Sequence, residues 1–460
     1  MRFAWSTCRR SLQRQAVAVA LLMISGACVA MAQDGKRTLT LRQAIDIALV
    51  ESPLLQAAQH QVEATQAGVT QARAGFLPTL DFTEAFTRAD NPVFAFSAKL
   101  NQGQFTQDDF DVGRLNNPEI ASDFTTRLSL RQSLFTGGRV TAGWRQAQLQ
   151  RQASEQGRHR QEQQVIFQVA KAYYDVLRTQ AELEVARSAI RSAEANRKLA
   201  QDRFETGLAV ASDMLSAKVR LATLKEGDIT ARHEVILAHA ALNDAMGTPL
   251  DTAFEIVETL TQRPSRYDTL EGLAQRALER RPDYQQTRTG EQASERGIAR
   301  ARAAFFPTIG ATASYDLHHA EFADEGQDSW FVGVALEWNL FNGFADSAKV
   351  AEAQANKARL EALRMRLESR IKLEVKQSFL HLQAARERVS VASGAVSQAE
   401  ESLRIFRDRY ETGIATIVDL LTAETALTRA KGNLTHALYD YNVGLAGLEL
   451  TLGAISADSF

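Results

Sequence analysis

The sequence is short of cysteine, proline and long apolar runs, and each shortage excludes something. Only two of its 460 residues are cysteines, Cys8 and Cys28. Both fall near the start, so the rest of the chain needs no disulfide in an oxidising compartment. Eight prolines are present, and none lies between Pro118 and Pro249 or after Pro307. Proline breaks helix interiors and punctuates linkers, so two such tracts point to very long helices rather than a string of small domains. Beyond the N-terminal leader no apolar run approaches the ~20 residues that a spanning helix needs. No nucleophile motif, phosphate loop or Cys/His cluster is visible, which argues against an enzyme and implies no cofactor.

What is present begins with that leader. Arg2, Arg9, Arg10 and Arg14 precede an apolar run over 16–24, and Ala30-Met31-Ala32 forms an A-x-A cleavage pattern before Gln33. This predicts a secretory signal peptide over 1–32. A membrane anchor is disfavoured because the apolar stretch is too short. Lipidation at Cys28 is disfavoured because Ser25-Gly26-Ala27 lacks the usual leucine three residues before the cysteine. Without its four leader arginines the chain carries 49 basic and 55 acidic residues, a formal charge of −6. Nothing in that balance suggests nucleic acid as a partner. An exported chain that enters a membrane without spanning helices must do so as a closed β-barrel.

The chain is internally duplicated. The run from Ala72 to Leu80 (ARAGFLPTL) matches that from Ala301 to Ile309 (ARAAFFPTI) at an offset of 229. Leu134-Phe135-Thr136-Gly137 matches Leu340-Phe341-Asn342-Gly343, and the run Asp202 to Ala209 (DRFETGLA) matches Asp408 to Ala415 (DRYETGIA), both at offset 206. The change in offset places about 23 extra residues within 91–122, rich in Asn, Gly, Pro and Asp, which reads as a long loop.

Each half therefore runs helix, strand, loop, strand, very long helix, turn, long helix. Four segments alternate with period two. Leu80, Phe82 and Phe86 mark the first, with Glu84 spoiling its apolar face, and Phe124, Leu128, Leu130 and Leu134 mark the second. Ile309, Ala311, Ala313, Tyr315 and Leu317 mark the third, and Trp330, Val332, Val334, Leu336, Trp338 and Leu340 the fourth. Each is near the 9–11 residues that cross a bilayer at a tilt. Alternation alone fits a small soluble sheet with one wet face equally well. If the strands do span a membrane, four cannot close a barrel, so several chains must contribute.

Residues 138–204 would make a rod roughly 100 Å long at 1.5 Å per residue. In the last helix Leu420, Ala423, Leu427, Ala430, Leu434, Ala437 and Tyr441 form a heptad seam. Leu360, Leu363, Leu367, Ile371, Val375, Phe379 and Leu382 form a similar stripe in the helix before it. Both predict antiparallel coiled-coil packing. His318-His319 fall between the third and fourth strands, where adjacent side chains on an irregular loop rarely share a metal, and the other histidines are scattered.

The duplicated Pro-Thr-Leu/Ile start of a strand, the Leu-Phe-x-Gly exit, and Tyr410-Glu411-Thr412-Gly413 followed by the run 416–421 (TIVDLL) resemble the TolC family of outer-membrane factors. The resemblance covers essentially the whole mature chain. It implies a mainly α chain with a transmembrane β part. Three copies would form a trimeric 12-stranded β-barrel, four strands per chain, continued by a long α-helical barrel. The expected division after the leader is a belt and helix over 33–78, a strand pair with long loop over 79–134 and a helical hairpin over 135–247. The second half repeats it, with a belt segment and helix over 248–306, a strand pair over 307–341 and a hairpin plus C-terminal segment over 342–460.

Members of that family are passive exit ducts of tripartite efflux or type I secretion systems, in the outer membrane with the helices in the periplasm. The implied partners are a homotrimer, outer-membrane lipid, a periplasmic adaptor and an inner-membrane transporter of RND or ABC type. Thr206, Gly207 and Leu208, with Thr412, Gly413 and Ile414, would be adaptor-docking tips. Asp213 and Asp419 would ring a narrow periplasmic aperture, where converging carboxylates concentrate cations. The bland reading, carboxylates stabilising a helix N-terminus, fits both as well. Tyr410 would bond to Asp213 or Ser212 and hold the aperture shut. Ala415 stands where some members have an arginine, and Thr422 where some have a second aspartate. The rival reading is a coiled-coil periplasmic scaffold or adaptor without a pore.

Overall fold

The computed structural model describes residues 37–322 and 325–460. The leader over 1–32 and Cys28 lie outside the described residues.

The first half opens with β1 (Arg37–Thr38), α1 (Leu41–Glu51) and α2 (Pro53–Ala74). Strands β2 (Thr79–Ala89) and β3 (Ala121–Phe135) follow, separated by α3 (Pro92–Asn101), a 3-10 turn and α4 (Val112–Asn116). The long hairpin is α5 (Arg139–Glu205) and α6 (Ala211–Met246). The second half repeats the order with β4 (Phe254–Glu255), α7 (Leu273–Arg280), α8 (Pro282–Arg302), β5 (Thr308–His319), β6 (Gln327–Glu337), α9 (Ala345–Glu411) and α10 (Ile417–Thr451). Both long helices have 67 residues.

The two sequence offsets hold in three dimensions. The β2–β3 rung Thr79↔Arg131 reappears as the β5–β6 rung Thr308↔Glu337, and Leu80↔Leu130 as Ile309↔Leu336. Helices α2 and α8 both start on a proline, at the first helical position where its missing N–H costs nothing. A Thr40–Gln43 capping box starts α1.

The residues 91–122 are not simply a loop. The Asn91 carboxamide accepts from the N–H groups of Val93 and Phe94 and caps α3. The buried Ala95 and Ala98 seat that helix against the sheet, and Gln102 Nε2 ties its end to Ser122 O and Asp123 Oδ1 at 2.8 and 2.9 Å. His318 and His319 are the last residues of β5, because pairing with β3 continues to Phe124↔His319. His318 Nδ1 lies 2.9 Å from Asp123 Oδ2. Trp338 and Leu340 lie past the end of β6.

The sheet order is β2-β3-β5-β6, antiparallel throughout, so β2 and β6 are open edges. One face carries the rows Leu80–Leu130–Ala313–Val332 and Phe82–Leu128–Tyr315–Trp330. Phe82, Trp330, Val332 and Val334 on this face are each more than half exposed. The other face carries the ion pairs Asp81–Arg131 and Arg127–Asp316. Glu84, on the apolar face, accepts a 2.6 Å bond from Thr126 Oγ1 across the rung. Among the described residues no helix is long and apolar enough to cross a membrane.

The core is split along the rod. Midway, a belt forms where β1 pairs with β4 in parallel and α1 and α7 pack on the long helices. Here the duplication sets Val165, Val169 and Tyr173 of α5 where α9 has Ile371, Val375 and Phe379, all buried. The α10 seam is buried or half-buried from Leu420 to Tyr441. Leu363 departs from its stripe and is 50% exposed. At that level α9 packs on α8 through Arg364, whose Nε donates to Glu291 at 2.8 Å, and the preceding residue, Leu363, lies ~100° around the helix.

Candidate gate and docking tips at the helical end

Both long hairpins turn by the same device. Gly207 and Gly413 sit at φ +75° and +79°, a left-handed conformation that glycine adopts without a Cβ clash. Leu208 N–H then reaches Arg203 O at 2.7 Å and Ile414 N–H reaches Arg409 O at 2.8 Å, closing the helix end as a Schellman motif. Thr206 and Thr412 donate their hydroxyls to carbonyls of the preceding turn. These turns leave Leu208 and Ile414 at the extremity, 69% and 78% exposed.

The two hairpins differ just inside the tips. In the second, Thr416 and Asp419 form a capping box, with Asp419 Oδ2 accepting from Thr416 Oγ1 at 2.7 Å and Thr416 N at 3.0 Å. Those bonds hold the Asp419 carboxyl below its ordinary value. In the first hairpin the equivalent cap is Val210, which has no side-chain acceptor. Asp213 is therefore not tied into a cap, and Ser212 Oγ lies 3.5 Å from its Oδ1. Matching aspartates at matching positions thus do different local work.

Tyr410 lies between the hairpins, 3% exposed, packed with Ala200, Ala217, Leu403 and Leu420. The expected bond from its hydroxyl to Asp213 or Ser212 is not made, and the oxygen is buried without a partner. Burial, and then the nearby Asp213 charge, push its pKa up. The cross-hairpin contact is instead Arg203, which sequence reading missed. Its guanidinium lies 5.2 Å from the Tyr410 ring centre, and Nη1 donates to Glu411 O at 2.8 Å. Arg203 precedes Phe204 in one repeat as Arg409 precedes Tyr410 in the other, so the signal lay in the duplicated Asp-Arg-Phe/Tyr.

Further along the rod Glu424 is 2% exposed beside the α10 seam. Asn196 Nδ2 of α5 lies 3.4 Å from its Oε2, and Oε1 has no partner. Arg220 of α6 and Arg407 of α9 face it, and Arg407 also reaches Ser192 Oγ of α5 at 3.2 Å. Burial outweighs these groups and raises the Glu424 pKa above its ordinary 4.5. A carboxyl with a raised folded pKa contributes stability that is full below 4.5 and lost as pH rises through the folded value. Glu424→Gln is accordingly expected to flatten the pH dependence of thermal stability between mildly acidic and neutral pH. Thermal scans at several pH values check this, and equal slopes in variant and parent would refute it.

A family model described as Outer membrane efflux protein matches residues 44–248 and 273–454. The alkaline protease secretion protein AprF of Pseudomonas aeruginosa is 25% identical over 439 residues, covering 94% of this chain and 88% of that protein. The outer membrane protein TolC of Vibrio cholerae is 24% identical over 414 residues, covering 88% of each. The crystal structure of VceC from Vibrio cholerae superposes with a TM-score of 0.75 at 23% identity, covering 90% of this chain and 96% of that one.

Proposed function

Since this chain belongs to the outer membrane efflux protein family, we propose that three copies pool their strands into one 12-stranded barrel and their long helices into one tube. The chain is an outer-membrane exit duct of an efflux or type I secretion system, with its helical part in the periplasm. The observation that carries the trimer is the four-stranded sheet, with an exposed apolar face and two open edges, running directly into 67-residue helices. Open edges in lipid leave backbone groups unsatisfied, and closure by further copies removes them. A poreless scaffold would have no use for such a face.

In this reading the tips at Thr206-Gly207-Leu208 and Thr412-Gly413-Ile414 meet a periplasmic adaptor, and an inner-membrane transporter loads the tube. The paired turns leave an apolar residue at each extremity, which suits burial against a partner helix. Asp213 and Asp419 line the aperture. With Ala415 and Thr422 in place of an arginine and a second aspartate, Arg203 and Glu424 supply the polar contacts between hairpins.

The test is single-channel recording of the detergent-purified protein in a planar bilayer. The parent is expected to run as a trimer and conduct with a preference for cations, and Asp213→Ala with Asp419→Ala to weaken that preference. A monomer that never conducts would end the duct reading. Unchanged selectivity in the double variant would remove the aperture assignment.

A further inference from the structure

The two strand pairs are joined differently. Residues 320–326 alone connect β5 to β6, whereas residues 90–120 connect β2 to β3 and hold α3 and α4. Helices α2, α5, α8 and α9 all adjoin the other end of the sheet, so the longer connection lies at the end remote from the helical rod. It is packed by its own side chains. Phe105 stands edge-on to Phe96 and to Phe110, with ring centres 4.8 and 5.2 Å away. Lys99 Nζ donates to Asp109 Oδ1 at 2.7 Å, and Asp109 Oδ2 accepts from Thr106 N and Oγ1 at 2.8 and 2.9 Å.

This preformed unit is fastened to one face of the sheet. Gln102 Nε2 reaches Asp123 Oδ1 at 2.9 Å and His319 O at 3.3 Å, and a Cβ on Gly103 would lie 3.1 Å from Gln327 Oε1. Asp123 is four residues before Arg127, and Gln327 pairs with His318, two residues after Asp316. Side chains alternate along a strand, so Asp123 and Gln327 share the face of the Arg127–Asp316 ion pair. The Asp123 carboxylate is held further by Thr125 Oγ1 at 2.8 Å and His318 Nδ1 at 2.9 Å. Asp123 and Asp316 are only 6% and 9% exposed on this polar face, while Phe82 and Trp330 on the apolar face are bare.

Resting on the trimeric duct proposed above, we infer that residues 90–120 form a releasable cap over the outer mouth of the barrel, latched to its wall by the Gln102–Asp123–His318 cluster. In a membrane barrel of this kind the apolar face meets lipid and the polar face lines the lumen. A unit fastened to the polar face at the outer end therefore stands over the opening. Twelve strands spaced ~4.8 Å apart and tilted ~40° close a barrel about 24 Å across. Three helices of ~10–12 Å diameter packed side by side span roughly 22–26 Å. One α3 from each copy is enough to fill the mouth. The latch is polar and faces a wet lumen, where each of its hydrogen bonds exchanges for one to water, so the cap can lift without unfolding the sheet.

Thiol labelling tests the cap, with Cys8 and Cys28 changed to serine. Ser129→Cys places a thiol on the polar face, two residues further from the mouth than Arg127. In the detergent-purified protein, its labelling rate by a bulky sulfonated dye maleimide is divided by its rate with a small cationic methanethiosulfonate. That ratio is expected to rise about ten-fold or more when Gln102→Ala and Asp123→Ala are added, as a mostly closed mouth becomes an open one. The same rise is expected when a copy of residues 320–326 joins Ala89 to Ala121 in place of 90–120. This shortened chain keeps every strand residue, so it decides the matter even where the double variant fails to assemble. A rise in the shortened chain but not in an assembled double variant overturns the latch. An unchanged ratio in the shortened chain, at trimer mass, overturns the cap and leaves the duct standing. A particle of monomer mass overturns both.

Discussion

Tyr410→Ala is expected to raise the mean single-channel conductance of the reconstituted duct, while Tyr410→Phe leaves it near the parent value. The ring is buried at the seam where the α9–α10 hairpin rests on α5 and α6, and it carries Arg203 on its face. Removing a buried aromatic costs about 3–5 kcal/mol, and the cation–π contact adds ~0.5–1 kcal/mol. In the proposed gate that loss falls on the contact between the two hairpins, so the open arrangement should gain population. The hydroxyl is a different matter. It is buried without a hydrogen bond, so deleting it removes an unsatisfied group and is close to neutral. Conductance histograms for the two variants decide the point. A parent-like distribution for Tyr410→Ala would place the constriction elsewhere, and an open Tyr410→Phe channel would restore the hydroxyl to the latch.

The second large effect is expected at the belt, where Arg281→Ala should destabilise the folded chain by about 3–5 kcal/mol, the range for breaking a buried ion pair. Arg281 is 3% exposed and forks onto Asp283 at 2.6 Å and Glu374 of α9 at 2.7 Å. It thereby joins the α7–α8 corner to the long helix. Both carboxylates keep about a quarter of their side-chain surface in water, which favours the lower end of that range. Burial by itself would raise both acids. The Arg281 hydrogen bonds and charge override it, so both lie below their ordinary 3.8 and 4.5. A lowered folded pKa means stability present above the ordinary value and lost as pH falls through the folded one. The parent should therefore weaken in acid, and the Arg281→Ala variant should lose that slope, since its unpaired acids are relieved by protonation. Thermal midpoints from pH 3 to 7 test both parts, and parallel curves would deny Arg281 the linkage.

Much of the architecture was legible because it was written twice. The offsets 229 and 206 anticipated the hairpin rungs and the equal long helices, and the α10 seam was readable from its heptad steps. The helix α3 was legible too, in Asn91-Pro92, a cap followed by a first-turn proline, but the Asn/Gly/Pro/Asp content of the segment drew the eye to a loop. Leu363 shows a harder limit: an apolar stripe in sequence does not say which neighbour it faces, and here the chain itself supplies none. The contacts between hairpins were least legible: Arg203 and Glu424 act through packing that brings together residues about 200 positions apart, and apart from the duplicated Asp-Arg-Phe/Tyr around Arg203 no local pattern marks them. The two aspartates looked equivalent in sequence, and a single change, Val210 against Thr416, makes one a cap and frees the other.

The equal length of α5 and α9 has a consequence for how such a chain can drift. Deleting one residue from either helix would shorten it by 1.5 Å and turn everything beyond by ~100°, carrying one tip out of level with the other and rotating its seam away from its mate. Much of the chain's side-chain identity is open to change, since it is 25% identical to AprF over 439 residues. Residue count is not, unless both rods change together by whole heptads, so the two halves behave as a pair of matched rulers whose graduations can be repainted but not respaced.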